Sequence, residues 1–364
     1  MSAQVTPEFE GSKFPVLFFS RGRGRGHAVP DMAIVEELKK SRDDFEVRFV
    51  SYATGAATLS GNGYPVIDIG LPEANPPLET LIRVSKIIGW LQPKLIVAHE
   101  EFMALPAAKI FDLPALMITD WFTAPEKFAM QTLQYADEIV FIDDPGAFEE
   151  PEYLQGRIHY VGPVLREFKY SRADRARARE ELELPAEATV ISVLPGSWTE
   201  DRAPVADTVL EAFDRLAGPK HLVWVAGADR EEIARRTGER ADITVKESDW
   251  RIDRLMVASD LAITKSNRKT VKELASLGVW SISLSHGLNA PDDAVTGRIA
   301  TNRLLDAKTT SAAELADTMR QLIAAPAPAP LGRGEHSGGR AGAALRVSRM
   351  IDAIQATAEA VAAG

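Results

Sequence analysis

The sequence of 364 residues contains no cysteine, and aromatic residues make up only 7% of it. Without cysteine the chain cannot form a disulfide, a thiolate nucleophile or a zinc–thiolate site. No apolar run approaches the roughly 18 residues that a membrane-spanning helix needs. The polar, acidic segment 1–13 also lacks the apolar core of a secretory signal. We therefore expect a cytoplasmic protein without a transmembrane segment.

The chain is also poor in positive charge. It has 42 Lys and Arg residues against 52 Asp and Glu residues, which gives a net charge of −10. Such a balance argues against a general binder of nucleic acid or of an anionic membrane. The sequence contains neither a G-x-G-x-x-G fingerprint nor a Walker phosphate loop, and no cluster of metal ligands. We therefore expect no metal and no tightly bound cofactor, and a dehydrogenase-type dinucleotide binder is disfavoured.

Apolar residues make up 45% of the chain, enough for two hydrophobic cores at this length. Short apolar runs of strand type alternate with helical stripes, which predicts an α/β fold with parallel sheets. We predict two Rossmann-like domains facing a cleft, residues 1–164 with about seven strands and residues 165–330. A mobile glycine-rich segment from residue 331, and a helix over Ala343–Ala362 that crosses back to the first domain, would complete the chain.

A glycine-rich turn follows the first predicted strand and reads Arg-Gly-Arg-Gly-Arg-Gly-His over residues 21–27. Gly24, Arg25 and Gly26 are candidates for a phosphate or acceptor loop, because glycine permits positive φ and close backbone approach. An Arg-Gly tract can also bind RNA, but three repeats between a strand and a helix are too few for that. His27 would lie just inside the start of the helix, at the carboxyl edge of the sheet, where a histidine can serve as a cap or as a satisfied surface residue.

A histidine base needs a carboxylate that orients its ring and stabilises the imidazolium. Two candidates follow predicted strands whose carboxyl ends share the edge of the sheet where His27 would lie. Glu100 follows the strand 94–98, and Asp120 follows the strand 115–119. Spacing alone does not choose between them.

The stretch Leu261–Leu284 predicts a strand, a polar turn, a helix and a second strand. Thr270 and Glu273 have the spacing of a capping box, and Gly278 suits the position just after the helix. The helix N-terminus would open at the carboxyl edge of the sheet, where its N–H groups and dipole favour an anion. The same residues could equally do no more than cap a structural helix.

This order of features resembles the donor-binding half of GT-B glycosyltransferases, above all the bacterial cell-wall N-acetylglucosaminyltransferases that form lipid II. The pattern runs from Ser-Asp-Leu-Ala-Ile-Thr through Thr-x-x-Glu and Leu-Gly-Val to an acidic loop, over residues 259–293. The first glycine loop is similar to the family's Gly-Gly-x-Gly-Gly-His-x-x-Pro, with Gly24, Gly26, His27 and Pro30 matching. Where the family has glycine and small residues, this chain has Asn267, Arg268 and Lys269.

The resemblance implies roles for individual residues. His27 would be the general base, with Glu100 or Asp120 as its partner, and Glu273 would bond the ribose of the nucleotide. The remaining donor-binding residues would be Gly196, Ser197, Trp250, Lys265, Ser266, Asn267, Thr270, His286, Asp292 and Asp293. Packing explains Trp250 equally well.

The resemblance implies an inverting, metal-independent hexosyltransferase that moves a sugar from a nucleotide-diphosphate sugar, with UDP expected, to an acceptor hydroxyl. The absence of Asp-x-Asp argues against the metal-dependent GT-A class. The acceptor would be a small molecule or lipid-linked. The helical stripe 78–91 would allow peripheral membrane contact, although packing in the core also explains it.

Other functions of the same fold stay open. One is a non-catalytic, nucleotide-binding partner or sensor, and another is a UDP-sugar epimerase or hydrolase. The Asp-Ser-Gly-Gly turn of UDP-N-acetylglucosamine 2-epimerases is absent, since Lys265-Ser266-Asn267-Arg268 stands in its place. Nothing in the sequence indicates the oligomeric state.

Overall fold

The computed structural model describes residues 9, 11–122, 127–146, 148–194, 202–247, 251–287, 291–330 and 333–363. The chain divides into two compact units. The first comprises residues 1–166 together with 336–364, and the second comprises residues 167–335. We call them the N-terminal and C-terminal units.

The N-terminal unit is built on a parallel sheet whose strands alternate with helices. Its elements up to the end of the sheet are β1 Phe14–Ser20, α1 Ala28–Ser41, β2 Phe45–Ser51, α2 Ala53–Gly61, β3 Val66–Asp68, α3 Pro77–Leu91, β4 Leu95–His99, α4 Ala104–Ile110, β5 Ala115–Thr119, α5 Phe128–Thr132, β6 Glu138–Phe141 and β7 Ile158–Tyr160. The seven strands lie in the order β3-β2-β1-β4-β5-β6-β7. The predicted α/β class and the seven strands of this half are confirmed.

Strand β1 shows why the chain folds in this way. Leu17 and Phe19 belong to the core on one face of the sheet, and Val16 and Phe18 belong to the core on the other. A strand covered on both faces needs a continuous apolar run instead of alternating polar residues. The run from Phe14 satisfies that need, in agreement with the position of β1 inside the sheet, between β2 and β4.

The C-terminal unit repeats the architecture with six parallel strands. Its elements are α6 Arg175–Glu181, β8 Thr189–Leu194, α7 Arg202–Asp214, β9 Lys220–Val225, α8 Arg230–Thr237, β10 Ile243–Lys246, α9 Ile252–Ala258, β11 Leu261–Lys265, α10 Arg268–Ser276, β12 Trp280–Ser285, α11 Pro291–Thr296, β13 Asn302–Asp306 and α12 Ala312–Ala324. The strand order is β10-β9-β8-β11-β12-β13. Sequence reasoning missed β13, a short edge strand with polar residues at both ends.

Gly278 ends helix α10 as predicted, with a φ of +66° that few other residues tolerate. A Cβ at this position would lie 2.7 Å from the Pro328 carbonyl oxygen, so glycine also permits close approach of the Ala-Pro segment. The indole of Trp280 donates a hydrogen bond of 3.1 Å to the Pro326 carbonyl oxygen. These contacts attach the Ala-Pro segment to the C-terminal unit.

Helix α3 divides its apolar residues between the core and the solvent. Val84, Ile88 and Leu91 are buried, whereas Leu78 and Trp90 are more than half exposed. Packing therefore accounts for only part of the apolar stripe. Every helix that the structure describes is too short or too polar to cross a membrane.

The glycine-rich segment before the last predicted helix is itself helical, which corrects the expectation of a mobile segment. Helix α13 runs over Arg333–Ala363. A Cβ on Gly339 would lie 2.3 Å from the Pro163 carbonyl oxygen, and one on Gly342 would lie 2.9 Å from Val161. The glycines allow the helix to approach the backbone of the N-terminal unit closely, and tertiary packing outweighs their poor helix propensity.

We predict that Gly339→Ala destabilises the protein by about 1–3 kcal/mol, the usual cost of overpacking a close contact. Gly338→Ala is the matched control, because a Cβ there meets no atom within 4 Å. That substitution should be neutral or should stabilise the helix by about 0.5–1 kcal/mol. Urea unfolding of the two variants measures the difference, and equal stabilities would contradict the packing role of Gly339.

Candidate active site

The first cluster of candidate residues lies where β1 ends and α1 begins. A Cβ on Gly22 would approach the Tyr52 carbonyl oxygen to 2.3 Å, so only glycine fits there. Gly24 has a φ of +63°. This tight loop returns the chain so that His27 takes the N-cap position of α1, where its side chain makes no capping hydrogen bond. Its imidazole is left for other contacts.

His27 contacts Glu100, one of its two predicted partners. The His27 Nε2 lies 2.8 Å from the Glu100 Oε2. The Thr119 hydroxyl donates to the other carboxylate oxygen at 3.1 Å, and the backbone N–H of Asp120 donates to that oxygen at 3.4 Å. The guanidinium of Arg21 is 3.7 Å from Glu100. Asp120 therefore contacts the carboxylate through its backbone, and Glu100 holds the imidazole.

The charge state of Glu100 follows from these neighbours. The residue is only 3% exposed. Burial alone raises its pKa, but the charge of His27 and the hydrogen bond from His27 outweigh burial and lower it well below the ordinary range. The Asp120 carboxylate opposes this shift, and His99 supports it. Glu100 is consequently ionised at neutral pH and can stabilise an imidazolium.

Sequence reasoning missed a second pair at the same edge. The His99 Nδ1 lies 2.5 Å from the Asp31 Oδ1, and both side chains are fully buried. The His99 ring also meets the His27 ring edge to face, with centroids 4.7 Å apart. One signal in the sequence pointed to Asp31. It stands four residues after His27 in α1, and that spacing places two side chains on one helix face.

A third group, also without a predicted role, surrounds Glu101. The Tyr52 hydroxyl donates to its carboxylate at 3.1 Å, and the Asn75 amide donates at 3.2 Å. Burial raises the pKa of Glu101. Burial likewise raises the pKa of the Tyr52 phenol. The group ties β2 and the segment before α3 to the end of β4.

The three residues of the predicted acceptor loop all precede α1. A Cβ added at Gly24 or Gly26 would meet no atom of the described residues within 4 Å, so both positions face open space. The carbonyl of Arg25 accepts the backbone N–H of Val29 at 3.3 Å. The loop therefore lies beside His27 at the carboxyl edge, as the sequence suggested.

The C-terminal unit holds the predicted donor residues at the junction of β11 and α10. The helix begins earlier than predicted, and Asn267 is its cap, accepting the Thr270 backbone N–H at 3.1 Å. The predicted capping box with Thr270 as the cap is therefore wrong. Asparagine is a stronger N-cap than threonine, and β11 ends at Lys265, close enough for Asn267 to take that position.

The predicted acidic loop is also corrected, because Asp292 and Asp293 form the first turn of α11. Proline at the first helical position and acids after it are favourable at a helix start. Asp292 pairs with the buried Arg268 at 2.8 Å. Asp293 accepts a hydrogen bond of 2.7 Å from the Ser285 hydroxyl. Both carboxylates thus have protein partners.

Of the other predicted donor residues, Ser266 is buried and hydrogen-bonded to the Thr296 hydroxyl at 2.7 Å. Glu273 is buried in α10, with 4% exposure. Lys265, Thr270 and His286 are half-buried at the same edge. Gly196, Ser197 and Trp250 lie outside the described residues.

Both clusters lie at topological switch points of their sheets. Strand β1 lies between β2 and β4, and β8 lies between β9 and β11, so the order in which the strands are added to the sheet reverses beside each. In open α/β sheets, ligands bind outside the carboxyl ends of the strands at such points. His27 and Glu100 occupy this position in the N-terminal unit, and the start of α10 occupies it in the C-terminal unit.

Comparison with known proteins identifies the class. The family description of lipid-A-disaccharide synthetase matches residues 125–276. The UDP-N-acetylglucosamine–N-acetylmuramyl-(pentapeptide) pyrophosphoryl-undecaprenol N-acetylglucosamine transferase of Desulforudis audaxviator is 26% identical over 294 residues, which are 73% of this chain and 77% of that one. The chain therefore resembles glycosyltransferases.

Solved structures show the same fold. The glycotransferase of kitacinnamycin superposes with a TM-score of 0.66 at 17% identity, over 93% of this chain and 98% of that one. The UDP-GlcNAc 2-epimerase of Neisseria meningitidis, bound to UDP-GlcNAc, superposes with a TM-score of 0.60 at 14% identity, over 92% and 98%. The fold is thus GT-B. The particular resemblance to the transferases that form lipid II is confirmed.

We predict that Asn267→Ala destabilises the protein by about 1 kcal/mol, because the side chain that satisfies the Thr270 N–H is lost. Thr270→Ala is the control and should be close to neutral, since the Thr270 side chain does not cap the helix. Thermal or urea unfolding measures both. A larger loss of stability for Thr270→Ala than for Asn267→Ala would contradict Asn267 as the cap and support Thr270 in that position.

Proposed function

We propose that the protein transfers a hexosyl group from a UDP-sugar to an acceptor hydroxyl, with inversion and without a metal ion. The observation that carries the proposal is the hydrogen bond of 2.8 Å between His27 and a buried, ionised Glu100 at the switch point of the N-terminal sheet. A base and its orienting carboxylate in this position suit deprotonation of a hydroxyl.

In the proposed reaction, His27 takes the proton of the acceptor hydroxyl. Its Nε2 bears the proton donated to Glu100, so Nδ1 carries the lone pair. That nitrogen is covered by protein atoms and has no hydrogen-bond partner among the described residues. The acceptor would reach it by displacing the atoms that cover it. The acceptor oxygen then attacks the anomeric carbon opposite the departing diphosphate, which inverts the configuration.

The departing UDP would be held at the start of α10. Backbone N–H groups and the positive end of the helix dipole favour a diphosphate there. Lys265 and Lys269 add positive charge at the same edge. Glu273 would bond the ribose hydroxyls. Preorganised donors of this kind can replace a metal ion in stabilising the developing charge.

For the acceptor we propose a lipid-linked molecule, handled at the membrane surface. The relative from Desulforudis audaxviator acts, by its name, on a pyrophosphoryl-undecaprenol substrate. In this chain α3 exposes Leu78, Ile82 and Trp90, with the exposed Lys86 on the same helix. An apolar and basic helix face suits peripheral contact with a membrane.

A UDP-sugar epimerase is the second candidate, supported by the fold shared with the Neisseria meningitidis epimerase. The chain replaces the epimerase Asp-Ser-Gly-Gly turn by Lys265-Ser266-Asn267-Arg268. Incubation with UDP-N-acetylglucosamine separates the two activities. Epimerised or hydrolysed sugar formed without an acceptor would overturn the transferase proposal, whereas a product that requires an acceptor would support it.

We predict that His27→Ala lowers turnover by roughly 10²–10⁴, the usual contribution of a general base. Affinity for UDP should stay unchanged, because the donor would bind the C-terminal unit. Glu100→Gln should lower turnover more than its matched control Asp120→Asn, since Glu100 makes the bond to His27. Steady-state kinetics and calorimetry measure these effects. Full activity of His27→Ala, or loss of its UDP binding, would reject the assignment.

We predict that UDP binds equally well in excess EDTA, measured by titration calorimetry. Glu273→Ala should weaken binding by about 1.5–3 kcal/mol if the carboxylate bonds the ribose. Glu211→Ala, a change at an exposed glutamate of α7, is the control and should leave affinity unaltered. Binding that disappears with EDTA would refute the metal-free claim.

A further inference from the structure

Two imidazoles and two carboxylates meet at the edge of the N-terminal sheet, on α1 and at the end of β4. They are His27, Asp31, His99 and Glu100. Donor atoms of His27, His99 and Glu100 all lie within 4.8 Å of one another. Asp31 and His99 are fully buried, and the side chains of Glu100 and His27 are 4% and 13% exposed. The proposed transfer reaction uses only His27 and Glu100.

The charge of this region favours a cation. Asp31 and Glu100 are carboxylates within the cluster, and the Asp120 carboxylate is close enough to oppose ionisation of Glu100. Arg21, on the loop after β1, contributes one positive charge 3.7 Å from Glu100. Buried charge of one sign is costly unless it is balanced. Protonated imidazoles provide one balance, and a divalent metal ion provides another.

The donor types select the metal. Two imidazole nitrogens and one glutamate oxygen are a known ligand set of zinc sites that keep a fourth position open. Imidazole suits zinc and neighbouring transition metals, whereas magnesium and calcium prefer oxygen. We propose that His27, His99 and Glu100 bind one Zn²⁺ ion, with Asp31 orienting His99.

Geometry supports the role of Asp31. Its carboxylate contacts the Nδ1 of His99 at 2.5 Å, which makes that nitrogen the proton donor and leaves the lone pair for a metal ion on Nε2. Histidine ligands of metals usually donate their second ring N–H to such a carboxylate. The ligand atoms now lie within 4.8 Å of one another, with the His27 Nε2 and the Glu100 Oε2 2.8 Å apart. Metal binding would adjust these separations toward about 3.4 Å, the ligand–ligand distance of a tetrahedral site with Zn–N of about 2.1 Å.

The consequence for catalysis rests on the proposed function. A Zn²⁺ ion bound to His27 and Glu100 would replace the hydrogen bond between them. His27 could then no longer act as the general base. Zinc would therefore inhibit transfer reversibly, and EDTA would restore it. This is compatible with donor binding that needs no metal, because the proposed donor site belongs to the other unit.

The test uses the full chain, stripped with EDTA and dialysed, and titrated with ZnCl₂ in a calorimeter. The wild type should bind one Zn²⁺ per chain, and His99→Asn should lose that binding. Asp31→Asn should weaken it by about 10–100-fold, the usual effect of removing an outer-shell carboxylate. His221→Gln is the matched control, since His221 is hydrogen-bonded to Thr244 in the C-terminal unit, and it should bind zinc like the wild type.

X-ray absorption of the zinc-loaded wild type should show two imidazoles and oxygen ligands, and this readout does not depend on whether a variant folds. A wild type that does not bind zinc would overturn the proposal. Wild-type affinity in His99→Asn would do the same. Turnover in EDTA tests the transferase function separately, so loss of that activity together with normal zinc binding would refute the proposed function and leave the metal site standing.

Discussion

The arrangement of side chains at the carboxyl edge of the N-terminal sheet depends on the burial of one carboxylate, that of Glu100. A buried ion without partners costs several kcal/mol, so the surrounding chain must supply charge and hydrogen bonds. His27 does so from the start of α1, and the Thr119 hydroxyl and the Asp120 backbone do so from the end of β5. Glu100 itself has a φ of +51°, a strained conformation for glutamate that persists only where the surroundings fix it.

This constraint also explains the glycine loop. For His27 to reach Glu100, the chain must turn sharply after β1 and pass close to Tyr52. Gly22 permits that passage, since any side chain there would overlap the Tyr52 backbone. The glycines of this loop are thus needed for the position of the imidazole, whatever they contact in a bound ligand.

Much of the fold could be predicted, because strands buried on both faces need continuous apolar runs, and those runs are visible in the sequence. The contact between His27 and Glu100 could also be predicted, since parallel strands bring their carboxyl ends to one edge. The contact between Asp31 and His99 could not be predicted. Whether two such side chains meet depends on how α1 lies on the sheet, which local sequence does not determine.

In the C-terminal unit, the N-cap of α10 was predicted wrongly because Asn267 and Thr270 are both residue types that suit this position. The choice depends on the last residue of β11, and strand ends are poorly defined by apolar pattern alone. The pairing of Arg268 with Asp292 was equally hidden, as it requires α11 to pack beside α10. The pair balances the charge of a buried guanidinium close to the start of α10.

Helix α13 has a consequence for the order in which the protein is completed. Ala343, Val347 and Ile351 belong to the same core as Val16 and Phe18 of β1. On the ribosome, the residues of the C-terminal unit, 167–335, therefore emerge in full before the N-terminal unit has received its last helix. The N-terminal unit is therefore completed after the C-terminal unit, and until then the part of its sheet face that α13 covers stays exposed, while α1 covers another part of the same face. A nascent chain of this kind exposes apolar surface that favours aggregation until α13 has left the exit tunnel.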